Sequence, residues 1–124
     1  MKFNPKKELP LLLLSVIPIA FLAYIWNKLP MKVPLHWDIN GEVNRYGSKS
    51  ELLLVGLIPI FLYALFLFIP LIDPKKRIDA MGRKFYTIRL ITGLFLTVIS
   101  AFIIYLSTDY VLQSYANNEV SPDP

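Results

Sequence analysis

Residues 52–72 read LLLVGLIPIFLYALFLFIPLI, a stretch without a charged side chain. Its length is close to the roughly 20 residues that a helix needs to cross the hydrocarbon core of a bilayer. Two other charge-free runs lie on either side of it, at residues 9–26 and 90–108. Hydrophobic residues form 55% of the 124-residue chain, more than is usual for a soluble domain, and the excess lies in these runs. The sequence therefore predicts an all-α integral membrane protein with three transmembrane helices, at about residues 9–27, 52–72 and 85–107.

The first run is interpreted as an uncleaved helix rather than as a signal peptide. A basic segment precedes it, as in signal peptides. However, the apolar stretch is longer than the usual 7–15 residues, and it ends in Tyr24, Ile25 and Trp26 rather than in small residues. The chain is expected to form one membrane domain, residues 1–107, followed by a mobile extracytoplasmic tail at residues 108–124.

The distribution of basic residues predicts the orientation of the chain in the membrane. The N-terminal segment and the loop between the second and third runs are rich in lysine and arginine, whereas no lysine or arginine follows Ser107. Because cytoplasmic loops carry an excess of positive charge, we expect a multi-pass protein of the plasma (cytoplasmic) membrane with its N-terminus inside and its C-terminus outside. The loop at residues 28–51 is then extracytoplasmic. The net charge of +4 follows this pattern and does not indicate nucleic-acid binding.

Two sequence patterns mark helix starts. Ser48, followed three residues later by Glu51, is the pattern of a capping box directly before the second run. Asp73 followed by Pro74 is the order typical of a helix N-terminus, and it predicts a short cytoplasmic helical elbow over residues 73–84.

The interiors of the runs offer few polar features. Pro18 should bend the first helix, and the carbonyl that it frees is expected to be satisfied by Ser15 or by a neighbouring helix. Arg89 is expected to snorkel to the cytoplasmic headgroups. No Asp, Glu, Lys or His is expected deep in a span, so no proton relay or ion pathway is predicted. A stripe of small residues in the third helix is expected to pack against another helix, in this chain or in a second copy; it consists of Gly93, Thr97 and Ala101.

The loop at residues 28–51 is predicted to be ordered. From Val33 to Ile39, every second residue is apolar, as in a strand with one apolar face. Asn40 and Gly41 follow, and this dipeptide is the strongest short-range indication of a hairpin turn. The sequence therefore predicts a short hairpin-like loop that rests on the helix ends or on the membrane interface.

The loop sequence LPMKVPLHWDINGEVNRYGSK, residues 29–49, resembles the signature of the bacterial domain of unknown function 1648. That domain opens membrane proteins similar to the SdpI family, which are immunity proteins against a sporulation-delaying toxin. The segment IPLIDPKK, residues 69–76, is similar to the end of the family's second span, so the resemblance covers about residues 9–107. Complete members continue with further spans and a Gly-x-Arg-Thr-x-Trp-like motif, so this chain is expected to be a truncated piece or a shorter relative. The matching loop positions are Leu29, Pro30, Val33, Pro34, His36, Trp37, Asn40, Gly41, Arg45, Tyr46, Gly47 and Lys49.

The resemblance implies a non-enzymatic membrane module that protects against, or senses, a membrane-active peptide through the extracytoplasmic loop. The expected partners are the bilayer and a peptide toxin, another membrane protein or a second copy, without nucleic acid and without a cofactor. Aromatic and basic residues of the loop also serve as interfacial anchors, so a structural or accessory role stays open. The candidate ligand-binding residues are His36, Trp37, Asp38, Asn40, Gly41, Arg45, Tyr46 and Lys49.

A metal-dependent membrane enzyme is a third hypothesis. His36, Asp38 and Glu42 are the one set in the loop that offers metal-ligand chemistry, but a lone His within a hairpin more commonly hydrogen-bonds inside it. The absence of cysteine excludes disulfides, thiolate catalysis and cysteine-based metal sites. We therefore expect no catalytic residue and no bound metal.

Overall fold

The computed structural model describes residues 5–73 and 76–117 of the chain. Three of its helices are long and apolar enough to cross a membrane, which confirms the prediction of a helical multi-pass membrane protein. A small two-stranded antiparallel sheet lies between the first two of them. In chain order, the helices and strands are α1 (Pro5–Ile25), β1 (Lys32–Trp37), β2 (Val43–Ser48), α2 (Lys49–Phe68), α3 (Arg77–Met81) and α4 (Arg83–Ala116), with 3-10 turns at Trp26–Lys28 and Ile69–Ile72.

The three long helices pack against one another in every pairwise combination. Their apolar core lies towards the hairpin, where Leu22, Leu52 and Ile104 are fully buried together with Leu29 and Val33. Other large apolar side chains remain on the outside, as expected for helices surrounded by lipid, which is as apolar as they are.

Close packing of the bundle depends on Gly56 rather than on the predicted stripe alone. A Cβ atom at Gly56 would lie 3.1 Å from a side-chain carbon of Ile19 and 3.5 Å from one of Ile104, so α1 and α4 both approach α2 there. In the predicted stripe, Thr97 is buried, whereas a Cβ atom at Gly93 would meet nothing within 4 Å. The face of α4 that carries Gly93 therefore has room beside it.

The start of α2 has the capping box that its sequence predicts. Ser48 is extended, with φ −76° and ψ 155°, and its backbone N–H donates to Glu51 Oε2 at 3.1 Å. The elbow between α2 and α4 contains the short helix α3. Asp73 follows the 3-10 turn that ends α2, and Pro74, the other half of the predicted helix start, lies outside the described residues.

Two helix boundaries differ from the prediction, and both differences move polar residues into the bundle. Helix α1 begins at Pro5 instead of residue 9, which places Glu8 inside it. Helix α4 continues to Ala116, so the interpretation of residues 108–116 as a mobile tail is wrong. The extension is stabilised by tertiary contacts, since Val111 belongs to the apolar core and Thr108 is buried. Residues 118–124 of the predicted tail lie outside the described residues.

A side chain compensates for Pro59 in α2, whereas Ser15 does not have the predicted role at Pro18. Ser15 Oγ donates to the carbonyl of Leu12 at 2.8 Å, so it does not satisfy the carbonyl four residues before Pro18. In α2, Pro59 frees the carbonyl of Val55, and Ser100 Oγ of α4 donates to it at 2.7 Å. The neighbouring helix thus compensates for the second proline, which is how membrane helices tolerate such residues.

Candidate functional site

The hairpin turn is organised by Asp38. Its carboxylate accepts hydrogen bonds from the backbone N–H groups of Asn40 at 2.9 Å and Glu42 at 3.0 Å, and its own N–H donates to the Glu42 carbonyl at 2.8 Å. Gly41 takes the left-handed conformation, with φ +81°. The turn is therefore a three-residue loop closed by an Asx turn rather than a two-residue Asn-Gly turn. Asp38, Asn40 and Gly41, predicted as ligand-binding residues, hold the shape of the turn.

The strands are irregular, and this changes which side chains share a face. His36 lies opposite Arg45, and the register shifts on both sides of this pair, at Leu35 in β1 and at Asn44 in β2. Such bulges re-aim side chains. As a result, Ile39 is fully exposed in the turn instead of continuing the apolar face that the alternation predicts.

Three polar side chains are presented side by side on the exposed part of the hairpin. His36 Nδ1 lies 2.6 Å from Asn44 Oδ1, and the cross-strand partner of His36 is Arg45. Arg45 Nη1 lies 3.5 Å from Glu51 Oε1, with both side chains well exposed, so this ion pair is weak. Sequence reasoning missed Asn44, because only the bulge places it beside His36. We call His36, Asn44 and Arg45 the hairpin triad.

The hairpin is tethered to the bundle by the extended end of α4. The hydroxyl groups of Tyr46 and Tyr110 lie 2.7 Å apart, and the two rings pack edge to face with centroids 6.2 Å apart. Tyr115 Oη donates to the carbonyl of Lys28 at 2.8 Å. The tether was not predicted, because residues 108–116 carry no clear apolar period and their partners lie in a distant part of the sequence.

Lys49 joins the two ends of the loop. Its Nζ donates to the carbonyls of Trp26 and Leu29, at 3.3 Å each, and lies 4.6 Å from the centroid of the Trp26 ring. Its backbone N–H donates to the carbonyl of Met31 at 2.9 Å. Lys49, another predicted ligand-binding residue, thus fixes the base of the hairpin. Trp37, which was also predicted to bind a ligand, is partly buried.

The predicted metal-ligand set is not brought together. The Asp38 carboxylate accepts hydrogen bonds from backbone N–H groups of the turn, and the His36 imidazole is hydrogen-bonded to Asn44. Within residues 5–73 and 76–117, no three His, Asp or Glu side chains gather as a metal site would require.

A buried ionic cluster, formed by Glu8, Tyr63 and Arg89, lies away from the hairpin. Arg89 Nη1 donates to Glu8 Oε2 at 3.1 Å, Arg89 Nη2 pairs with Glu8 Oε1, and Tyr63 Oη donates to Glu8 Oε1 at 3.1 Å. The side chains of Arg89 and Glu8 are 2% and 7% exposed. The Arg89 guanidinium also lies 5.8 Å from the centroid of the Tyr63 ring.

The ionic cluster overturns one prediction, because Arg89 is buried and does not snorkel to the headgroups. Glu8 is buried as well, but it lies in the first turn of α1 and not deep in the span. The physical reason is pairing: a bidentate carboxylate partner on α1 removes the need for Arg89 to reach water. Sequence reasoning missed the pair because each charge stands at the edge of an apolar run, where it looks like a flanking residue.

A small cavity of about 20 Å³ adjoins the ionic cluster between the three long helices. Its lining includes Arg89, Tyr63 and Ser15 together with Gly93 and Thr97. The buried Thr97 Oγ1 finds no hydrogen-bond partner among the described residues. The volume is enough for one water molecule, which would satisfy this hydroxyl.

Residues 13–62 match the family described as Domain of unknown function (DUF1648). The match covers 50 of the 124 residues. It includes most of α1, the whole hairpin and most of α2, so the hairpin triad and its turn belong to the matched segment. Glu8, Tyr63 and Arg89 lie outside the matched residues. Neither a curated protein nor a solved structure matches the chain.

Proposed function

We propose that this chain is a non-enzymatic membrane module whose hairpin recognises a membrane-active peptide, giving protection from it or sensing it. The SdpI-type immunity proteins that the loop sequence resembles suggest this role. The observation that carries the proposal is the hairpin triad: an imidazole, an amide and a guanidinium presented together on a hairpin that contacts α2 and α4.

The chemistry of the hairpin triad suits a peptide. Imidazole and amide groups both donate and accept hydrogen bonds, and guanidinium binds carboxylates in a bidentate manner. Arg45 pairs with Glu51 only weakly and in the open, so exchanging that partner for a peptide carboxylate costs little. Arginine side chains are among those that dominate binding energy at interfaces.

The position of the hairpin also suits this role. It lies at the ends of membrane-spanning helices, where an amphipathic peptide bound to the bilayer would arrive. The proposal places the hairpin outside a plasma membrane, with the N-terminus inside, as the distribution of basic residues predicts. A conformational change caused by binding at the hairpin would be transmitted to the long helices through Lys49 and through the contact between Tyr46 and Tyr110.

The test is a toxin-sensitivity assay in cells that express the full chain, with the sporulation-delaying toxin as the probe. We expect the chain to protect, and His36→Ala and Arg45→Ala to lose most of the protection while their amounts in the membrane fraction stay unchanged. Arg83→Ala, an exposed arginine at the start of α4, is the matched control and should protect fully. No protection by the chain itself, or equal protection by all variants, would refute the proposal.

A structural or accessory subunit is the second candidate, and the many exposed apolar side chains of the long helices favour it. Another membrane protein could pack against these side chains through van der Waals contacts. This role predicts a stable complex in mild detergent, together with tolerance of substitutions in the hairpin triad. The toxin assay separates the two roles, because only the first depends on His36 and Arg45.

A further inference from the structure

A groove of about 330 Å³ runs between α1 and α2 on the hairpin side of the bundle. Its α1 wall consists of residues three or four positions apart, which lie on one face of a helix. Because these residues belong to membrane-spanning helices, the open side of the groove faces lipid. The lining residues are Ile19, Leu22, Ala23, Trp26, Asn27 and Leu53.

The groove is polar and positively charged at one end. Lys49 precedes Leu53 by four residues, so it stands one turn above Leu53 on the same face of α2. Its ammonium lies 4.6 Å from the centroid of the Trp26 ring, and Trp26 itself lines the groove. Asn27 adds an amide at this end, followed in the chain by the exposed Lys28.

The Lys49 ammonium lacks a counter-ion of its own in the described part of the chain. It is partly buried, and it contacts two backbone carbonyls and the Trp26 ring. No carboxylate of residues 5–73 and 76–117 forms a salt bridge with it. A partly desolvated charge is stabilised when an anion accompanies it, and aromatic residues such as Trp26 mark the depth at which phosphate headgroups lie.

We propose that this groove binds one anionic phospholipid of the hairpin-side leaflet. An acyl chain lies along Ile19, Ala23 and Leu53, and the lipid phosphate pairs with the Lys49 ammonium. A phospholipid fits better than a second helix, since a helix is about 10–12 Å across and the α2 wall of the groove consists of Leu53 alone. Lys49 therefore serves the lipid and the base of the hairpin at the same time.

The test is native mass spectrometry of the full chain, delipidated in detergent and then titrated with phosphatidylglycerol or phosphatidylcholine. We expect one phosphatidylglycerol to bind, about fivefold more tightly than phosphatidylcholine, because one lysine near an anionic headgroup has an effect of about this size. Lys49→Gln should remove this preference. Leu53→Trp should fill the groove and weaken phosphatidylglycerol binding about tenfold or more, whereas Leu54→Trp, one residue along and facing outwards, should not.

A second pair of variants guards against misfolding of Leu53→Trp. Ala23→Phe fills the groove from the α1 wall, and Ala20→Phe makes the same change on an exposed position outside it. Equal lipid binding by the filled and control variants overturns the proposal, as does equal affinity of the original chain for the two lipids. A dimer that only the filled variants dissociate would assign the groove to a second copy, and would also overturn it.

Discussion

The hairpin and the ionic cluster lie towards opposite ends of the same helices and hold their polar groups by different means. In the hairpin, the hydrogen bonds of Asp38 and His36 reach partners within eight residues along the chain, and most of the groups are exposed. In the ionic cluster, Glu8 and Arg89 are 81 residues apart and almost completely buried. Short-range polar contacts can therefore be predicted from a sequence, whereas a buried pair depends on the relative directions of the helices. Helices α1 and α4 cross in the same direction, so their starting turns meet.

The largest effect is expected at the ionic cluster. Arg89→Met should lower the free energy of unfolding by about 3 to 5 kcal/mol, because it leaves the Glu8 carboxylate buried without its cation. The measurement is the unfolding transition of the purified chain in mixed micelles, followed by circular dichroism.

The matched control for Arg89→Met is Arg83→Met, which removes an exposed arginine six residues earlier in the same helix. It should change the stability by less than about 0.5 kcal/mol. The double variant Glu8→Gln with Arg89→Met should recover part of the loss. Equal free energies of unfolding for Arg89→Met and Arg83→Met would show that the buried ion pair does not contribute more to stability than an exposed arginine does.

Midway between the two regions, Ser100→Ala should cost about 1 to 2 kcal/mol, since it leaves the Val55 carbonyl without its donor. In a Pro59→Ala background, the restored N–H of residue 59 can satisfy that carbonyl, so Ser100→Ala should then cost much less. A double-mutant cycle in the same unfolding assay measures this coupling. An unchanged cost in both backgrounds would mean that Ser100 does not compensate for Pro59.

Gly93→Ala tests the free space beside the ionic cluster. The added methyl group would meet nothing within 4 Å, and alanine is a better helix former by about 1 kcal/mol, so the variant should be more stable by about that amount. Gly56→Ala is the contrasting control, because its methyl group would lie 3.1 Å from Ile19. A loss of stability for Gly93→Ala would show that the cavity beside Gly93 does not accept an added methyl group.

The smallest effect is expected at the hairpin. Tyr110→Phe removes the hydroxyl that meets Tyr46, and a single exposed hydrogen bond contributes about 0.5 kcal/mol. The free energy of global unfolding should therefore change very little, whereas hydrogen exchange at the backbone amides of β2 should become faster. Tyr105→Phe, an exposed tyrosine outside the tether, should leave that exchange unaltered. Equal exchange in both variants would rule out Tyr110 as the tether.

Local signals explain which parts of the structure could be predicted. The apolar runs, the capping box of Ser48 and Glu51, and a turn at Asn40 and Gly41 depend on residues close together in the chain. The bulges that place Asn44 beside His36 could not be predicted from the sequence, because strand register depends on pairing rather than on composition. The extension of α4 was missed for a related reason: polar residues such as Thr108 and Ser114 are buried there by contacts with distant segments.

Three membrane-spanning helices and a polar hairpin between the first two follow from the amino-acid sequence alone. Charge-free runs of sufficient length insert regardless of what surrounds them, because each residue adds its own transfer free energy. Three other features follow from the tertiary structure: Arg89 is buried with Glu8, Ser100 donates to the carbonyl that Pro59 frees, and Lys49 contacts Trp26 beside the groove. Each of these depends on two helices meeting at one depth, and helix contacts in lipid are specified by packing and hydrogen bonds between residues far apart in the chain.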